Sequence, residues 1–156
     1  DIPKNKIIEH ELEIVILIGK DASPKTHKEA TTFISGFTTG LDLTDRKLQE
    51  ELKKKGLPWF PAKSFKGSAV LDTNFIMPEC PKEFFLTINQ KTRQVGSLKD
   101  MIFSFESVLL HISKIVSLKR GDLIFTGTPE GVGPLIKGDQ IEMGFTGYPS
   151  KKLTVI

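Results

Sequence analysis

The sequence predicts an α+β domain that is rich in β-structure and contains about three helices. Two patterns support this fold class: short apolar runs bounded by turn residues, and segments in which a helix cap precedes apolar residues at helical spacing. These segments do not alternate as in a regular βαβ array, so we expect mixed sheets. With 38% hydrophobic content, residues 1–156 are predicted to form a single domain with a substantial core.

The first strand and the first helix are predicted near the N-terminal end of the chain. Glu11–Ile18 should be a strand, because an apolar run follows acidic residues and ends at a glycine. A helix should begin at Ser23-Pro24, since serine caps a helix N-terminus and proline suits the first helical position. We expect this helix to end near Ser35, before Gly36.

A second strand at Phe37–Leu43 is predicted to lead into a helix over Thr44–Lys55, which a glycine and a proline terminate. The remaining predicted elements are mostly strands with turn residues between them. They are strands at Phe84–Asn89, Thr92–Val95, Leu123–Thr126, Ile141–Phe145 and Leu153–Ile156, and a helix at Phe105–Val116.

Composition and charge argue against several classes of protein. The net charge is only +3, and the basic residues form no stripe with interleaved aromatics, so we expect no nucleic-acid partner. The longest apolar run, Ile14–Ile18, is far shorter than the ~20 residues that cross a membrane, so we expect no membrane partner. Cys80 is the only cysteine, which excludes an internal disulfide and favours a reducing compartment such as the cytoplasm.

Three glutamates at the start of the first apolar run share one face of the predicted strand. Successive side chains on a strand point to opposite faces, so Glu9, Glu11 and Glu13 lie together, with neighbours roughly 6–7 Å apart. A hard divalent cation with oxygen ligands would relieve the repulsion between them. A solvated edge strand, on which acidic residues discourage aggregation, explains the same pattern equally well.

Asp42 lies where the second predicted strand meets a helix, and Arg46 and Gln49 follow four and seven residues later. An acid at a strand end can reach a ligand beyond that end, and the helix would present a cation and an amide on the same side. For Asp42 taken alone, an ordinary acid at a helix N-terminus is the simpler explanation.

Lys63 and the loop residues Thr126, Gly127 and Thr128 are candidates for binding an anion. Lys63 is flanked by aromatic residues and an alanine, so its ammonium either reaches solvent along an apolar stem or faces an anionic substrate. The loop could offer hydroxyls and backbone N–H groups to a carboxylate. A glycine-rich turn without a ligand is the alternative, and without further context it is favoured.

Eight segments, taken together and in order, are informative beyond their individual patterns. They are His10–Glu13, Gly36–Asp42, Lys53–Trp59, Ala62–Phe65, Arg93-Gln94, Asp100–Ser104, Gly121–Pro129 and Gly131–Gly133. In this combination the chain resembles the fumarylacetoacetate hydrolase superfamily, closest to its acylpyruvase and oxaloacetate decarboxylase branch. The resemblance covers nearly the whole chain, and the ordered set is far more specific than any one segment.

The resemblance implies a fumarylacetoacetate hydrolase-like fold and a role for each candidate residue. Glu11, Glu13 and Asp42 would be the three carboxylate ligands of Mg²⁺ or Mn²⁺. Lys63 would be catalytic, adding positive charge near a developing oxyanion. Glu9 stands where the family often has a histidine and is not expected to be a ligand. The residues that would bind the substrate are Arg46, Gln49, Thr126, Gly127 and Thr128.

By this resemblance we expect a metal-dependent enzyme that hydrolyses the C–C bond of acylpyruvates, with oxaloacetate decarboxylation as a further candidate activity. In hydrolytic relatives a histidine–glutamate pair on an N-terminal lid activates water, and here that lid would precede Asp1. The family also suggests a homodimer. A presequence upstream of Asp1 would permit a mitochondrial location instead of a cytoplasmic one.

Two alternatives to acylpyruvate hydrolysis follow if the lid is absent. The first is an oxaloacetate decarboxylase or tautomerase only, because neither reaction needs an activated water. The second is a non-catalytic relative that binds the metal alone.

Overall fold

The computed structural model describes residues 2–3, 6–21 and 23–156, and most of its regular structure is β-strand. The strands are β1 (Ile8–His10), β2 (Leu12–Ile18), β3 (Ile34–Asp42), β4 (Thr44–Asp45), β5 (Ala69–Leu71), β6 (Glu83–Ile88), β7 (Lys91–Ser97), β8 (Leu123–Phe125), β9 (Gly133–Pro134), β10 (Gln140–Phe145) and β11 (Lys151–Thr154). The α-helices are α1 (His27–Thr31), α2 (Arg46–Lys54), α3 (Phe60–Lys63) and α4 (Phe105–Ser113), with a 3₁₀ turn at Leu98–Asp100.

The strands form three sheets. Two of them have four strands, in the orders β5-β3-β2-β8 and β11-β10-β6-β7, and the third has the order β4-β1-β9. The β-rich α+β class is therefore confirmed. Within it, the pairs between the named strands are all antiparallel, so these sheets are antiparallel rather than mixed. The described residues form four α-helices rather than about three, because the short helix α3 was not predicted.

Strand β2 lies at the centre of the core. Its side chains Ile14, Ile16 and Ile18 are at most 1% exposed and belong to one cluster with Leu86 and Met143 of the second four-stranded sheet. Each buried side chain of this size stabilises the fold by about 1.5–3 kcal/mol. The apolar run therefore anchors the strand, and the acidic residues at its N-terminal end are held in fixed positions.

The pairing of β2 with β3 brings two distant segments of the chain together. Leu12 pairs with Leu41 and Glu13 pairs with Gly40, so the acidic start of β2 lies beside the C-terminal end of β3. The backbone N–H of Asp42 donates to the carbonyl oxygen of Glu11 at 2.9 Å. This register places the side chains of Glu11, Glu13 and Asp42 at one end of the sheet.

The helix predicted from Ser23 to Ser35 is wrong in its bounds. The observed α1 has five residues and is capped by the Thr26 hydroxyl, which accepts from the Glu29 N–H at 3.2 Å. Strand β3 already begins at Ile34, which pairs with Ile18 of β2. Strand pairing in the core has therefore outweighed the local helix signals.

Other predicted elements agree with the structure to within a few residues. The helix after the second strand begins at Arg46, and its N-cap Asp45 accepts from the N–H of Leu48 at 3.2 Å. The last predicted helix ends at Ser113, three residues earlier than expected. Strands β6 and β7, which correspond to the predicted strands Phe84–Asn89 and Thr92–Val95, pair as an antiparallel hairpin. No helix among the described residues is long and apolar enough to cross a membrane.

Candidate active site

Three carboxylates converge at the end of the sheet formed by β2 and β3. Glu11 lies at the break between β1 and β2, Glu13 lies in β2, and Asp42 is the last residue of β3. Each offers one oxygen, and these three oxygens all lie within 4.8 Å of one another. The structure thus brings together the three acidic residues that the family resemblance assigned to a metal ion.

Because this cluster is largely buried, an ionised carboxylate in it is unfavourable unless a positive charge lies nearby. Glu13 is 4% exposed, and burial raises its pKa from 4.5 to about 7. The N–H of Gly127, which donates to Glu13 Oε2 at 2.7 Å, acts against this rise, whereas the charges of Asp42 and Glu11 add to it. A set of buried oxygen ligands with this excess of negative charge fits a hard divalent cation.

Lys63 supplies positive charge to the same cluster. It ends α3, and its Nζ donates to Glu11 Oε2 at 2.5 Å and to Asp42 Oδ2 at 2.8 Å. Burial lowers the pKa of Lys63, but hydrogen bonds to Asp42 and Glu11 more than offset this, so the pKa is raised. The ammonium therefore stays charged and bridges two of the three carboxylates.

Arg46 lies on the other side of Glu11, in the first turn of α2. Its Nη2 donates to Glu11 Oε1 at 2.7 Å, its Nε to Glu9 Oε2 at 2.6 Å, and its Nη1 to Gln49 Oε1 at 2.7 Å. Burial raises the pKa of Glu11, but the hydrogen bonds from Lys63 and Arg46 outweigh it, so the pKa is lowered. Glu9, which was not expected to be a metal ligand, is thus a direct partner of Arg46.

The loop after β8 reaches the cluster through its backbone. Gly127 has a φ of +102°, a region that side chains disfavour, and its N–H contacts Glu13. The hydroxyl of Thr126 donates to the carbonyl oxygen of Ile14 at 2.9 Å, so in this structure it supports β2. Thr128 Oγ1 accepts from the side chain of Gln94 at 2.8 Å. Two of the three loop residues predicted to bind substrate are therefore engaged by β2.

Gln94 is a site residue that the sequence reasoning missed. It is 1% exposed, and its Oε1 accepts from the N–H of Leu12 at 3.0 Å and lies 2.8 Å from Nδ1 of His10. Its Nε2 donates to Thr128 Oγ1 and to the carbonyl oxygen of Pro129. Gln94 thus ties the loop after β8 to the acidic start of β2. The only sequence signal was its place in a family-like segment, because its hydropathy predicts an exposed position.

A cavity of about 250 Å³ adjoins the loop after β8. Its lining includes Thr126–Pro129 and Met101–Phe103, and Ile102 and Phe103 are 89% and 65% exposed. None of the three carboxylates lines it, so the cavity lies beside the acidic cluster and does not contain it.

Residues 1–156 match the family model described as fumarylacetoacetate (FAA) hydrolase, C-terminal. The chain belongs to this family. Over 152 residues it is 40% identical to the mitochondrial oxaloacetate tautomerase FAHD1 of Mus musculus. This match covers 95% of the chain and 69% of the mouse protein. The resemblance seen in the sequence is therefore confirmed.

Solved structures of relatives share the fold. A protein from Yersinia pestis CO92, assigned to the fumarylacetoacetate hydrolase family, superposes with a TM-score of 0.93 at 35% identity, covering 99% of this chain and 75% of that one. Fumarylpyruvate hydrolase from Pseudomonas aeruginosa, in complex with Mn²⁺ and pyruvate, has a TM-score of 0.91 at 28% identity, covering 99% of this chain and 69% of that one. The chain thus belongs to a family of enzymes, some of which bind a divalent metal.

Proposed function

We propose that this protein hydrolyses the C–C bond of acylpyruvates with the help of Mg²⁺ or Mn²⁺. The observation that supports this most strongly is the cluster of Glu11, Glu13 and Asp42, whose oxygens lie within 4.8 Å of one another beside the ammonium of Lys63. Carboxylate oxygens are the ligands that both ions prefer. When bound, the ion supplies Lewis-acid stabilisation of negative charge on a keto oxygen.

The reaction adds water across the bond between the acyl carbonyl and the adjacent methylene. The water oxygen joins the acyl carbon, and the electron pair of the broken bond stays with the methylene carbon, which takes up a proton. The products are a carboxylic acid and pyruvate. We propose that the base that activates water belongs to the histidine–glutamate lid that the family resemblance implies upstream of Asp1.

The residues of this chain would bind the substrate and stabilise charge. Lys63 would place its ammonium near the oxygen that becomes negative as the C–C bond breaks. Arg46 and Gln49 would orient the end of the substrate that is remote from the ion. Thr126, Gly127 and Thr128 would define the loop against which the substrate carboxylate lies, with the Thr128 hydroxyl as the direct donor.

Oxaloacetate tautomerisation or decarboxylation is a second candidate. The 40% identity to a mouse oxaloacetate tautomerase favours it. Keto–enol tautomerisation moves one proton from C3 of the substrate to the oxygen on C2, and neither this step nor decarboxylation needs an activated water. The same carboxylates and Lys63 would serve both activities, so the two candidates differ in the proton-transferring base and not in the ion site.

The deciding experiment measures release of pyruvate from acetylpyruvate, and turnover of oxaloacetate, by the full-length protein with Mn²⁺, with Mg²⁺ and with EDTA. Metal-dependent hydrolysis of acetylpyruvate supports the first function. Turnover of oxaloacetate alone supports the second. Binding of Mn²⁺ without turnover of either substrate would refute both and leave the non-catalytic relative.

We also propose that the protein is a homodimer, as the family resemblance suggests. The exposed apolar side chains Ile102 and Phe103 support this, because large exposed apolar groups that lie together are typical of interfaces. Sedimentation of Phe103→Ser against the wild type tests it. For location we expect the cytoplasm, or mitochondria if a presequence precedes Asp1. The mitochondrial mouse relative favours the second, and cell fractionation decides.

A further inference from the structure

We propose that Glu9 makes the site selective for 2-keto acids whose remote end carries no second negative charge. This inference rests on the first of the two proposed functions, acylpyruvate hydrolysis, because it concerns how Arg46 interacts with the remote end of a substrate bound at the acidic cluster. It therefore also predicts poor turnover of oxaloacetate, whose remote end is a carboxylate. Its observable consequence is a preference between a substrate that carries this second charge and an ester of it that does not.

Each of the three nitrogens of the Arg46 guanidinium already donates one hydrogen bond, so three of its five N–H groups are engaged. Its Nε donates to Glu9 Oε2 at 2.6 Å, its Nη2 to Glu11 Oε1 at 2.7 Å, and its Nη1 to Gln49 Oε1 at 2.7 Å. The side chains of Arg46 and Glu9 are 23% and 19% exposed, so solvent screens the pair only in part. Two carboxylates thus neutralise the one cation on this side of the cluster.

Among the described residues, the acidic cluster has no unpaired positive charge that could neutralise the second negative charge of a dianionic substrate. Four carboxylates lie in it: Glu9, Glu11, Glu13 and Asp42. Against them stand Arg46 and Lys63, and Lys63 is itself shared by Glu11 and Asp42. A divalent ion would bring the positive charge level with the negative charge. The first carboxylate of a bound substrate then already makes the net charge of the site negative. A second carboxylate near Arg46 would be repelled by Glu9 and would have no cation of its own to pair with.

Glu9 is the acidic residue whose role is separable from ion binding. Glu11, Glu13 and Asp42 offer oxygens within 4.8 Å of one another, and Glu9 does not belong to that group. Replacing Glu9 by glutamine keeps the length of the side chain and an oxygen that accepts from Arg46 Nε, and removes only the charge. Arg46 then has one carboxylate partner, and its guanidinium can pair with a substrate carboxylate.

The test compares fumarylpyruvate, which has two carboxylates, with its monomethyl ester at the remote carboxylate, which has one. The ratio of kcat/KM for the ester to that for the diacid is measured for the full-length, Mn²⁺-loaded wild type and for Glu9→Gln. We expect the wild type to prefer the ester and Glu9→Gln to shift the ratio about tenfold towards the diacid, mainly through KM. Glu50→Gln removes the same charge from the exposed face of α2 and should leave the ratio unchanged.

The selectivity ratio separates this role from a merely structural one. If Glu9 only holds Arg46 in place, Glu9→Gln lowers kcat/KM for both compounds equally, and the inference is overturned. A wild type that prefers the diacid overturns it as well. Should Glu9→Gln fold poorly in thermal melts, Glu9→His, which carries the residue that the family often has at this position, removes the same negative charge and gives a second comparison.

The proposed function can fail separately. If the wild type releases no pyruvate from either compound, the hydrolase proposal is refuted. The ratio is then read from dissociation constants of the two compounds for the Mn²⁺-loaded protein. Equal affinities, or no binding of either compound, would overturn the selectivity as well.

Discussion

The proton held by Glu13 gives a quantitative test of the buried acidic cluster. Burial, followed by the charges of Asp42 and Glu11, raises the pKa of this carboxyl from 4.5 to about 7 in the metal-free protein, despite the hydrogen bond from Gly127. The folded protein therefore holds this proton more tightly than the unfolded chain does. The resulting stabilisation is fully present below about pH 4.5 and is lost as the pH rises through about 7.

The size of this effect follows from the two pKa values. Between pH 5 and pH 8 the contribution of Glu13 to the free energy of unfolding should fall by about 2.5 kcal/mol, at 1.36 kcal/mol per pKa unit. His10 acts in the opposite direction in part of this range, because burial lowers its pKa, so that stability rises with pH. The total stability therefore does not isolate Glu13, and a comparison with a variant is required.

The assay is urea unfolding of the metal-free protein in EDTA at pH 5, 6, 7 and 8, for the wild type and for Glu13→Gln. Glutamine cannot titrate but retains the contact with Gly127, so the difference in unfolding free energy between the two proteins reports on Glu13. Relative to Glu13→Gln, the wild type should lose about 2.5 kcal/mol of unfolding free energy as the pH rises from 5 to 8. A difference that does not change with pH would refute the electrostatic account of the cluster.

The remaining predictions concern a candidate metal ligand, the lysine proposed to be catalytic, and the missed glutamine. Asp42→Asn should weaken Mn²⁺ binding by about 100-fold in titration calorimetry, because it removes the charge of one of the three proposed anionic ligands. Lys63→Met should lower kcat far more than Mn²⁺ affinity, and the reverse pattern would argue against its oxyanion role. Gln94→Ala should lower the free energy of unfolding by about 2 kcal/mol, because it leaves the buried N–H of Leu12 without its partner, and should raise KM through the freed loop. Thr92→Ala, at an exposed position of the same strand, should do neither, and equal losses in the two variants would contradict the role of Gln94.

The alternation of side chains along a strand correctly predicted that two of the candidate metal ligands lie on the same face. Glu11 and Glu13 do lie together, although Glu11 falls at a break between two strands and not within one. The position of Asp42 depends on the register in which Glu13 pairs with Gly40, and no local pattern specifies that register. The family resemblance supplied this long-range information.

The features that were missed arise from contacts between residues far apart in sequence. The helix expected from Ser23 to Ser35 gives way to strand pairing at Ile34, since the core gains more from the strand than local capping gains from a longer helix. The buried position of Gln94 depends on partners that no local pattern indicates. The pairing of Glu9 with Arg46 spans 37 residues. Charge patterning revealed the acidic residues but not which cation each of them contacts.

Titration of the metal-free protein with Mn²⁺ tests the central claim most directly. We predict one ion bound per chain for the wild type and for Glu50→Gln, and loss of that binding in Glu13→Gln with the fold retained. A wild type that binds no Mn²⁺, or a Glu13→Gln variant that binds it as tightly as the wild type, would contradict a shared ion between Glu11, Glu13 and Asp42.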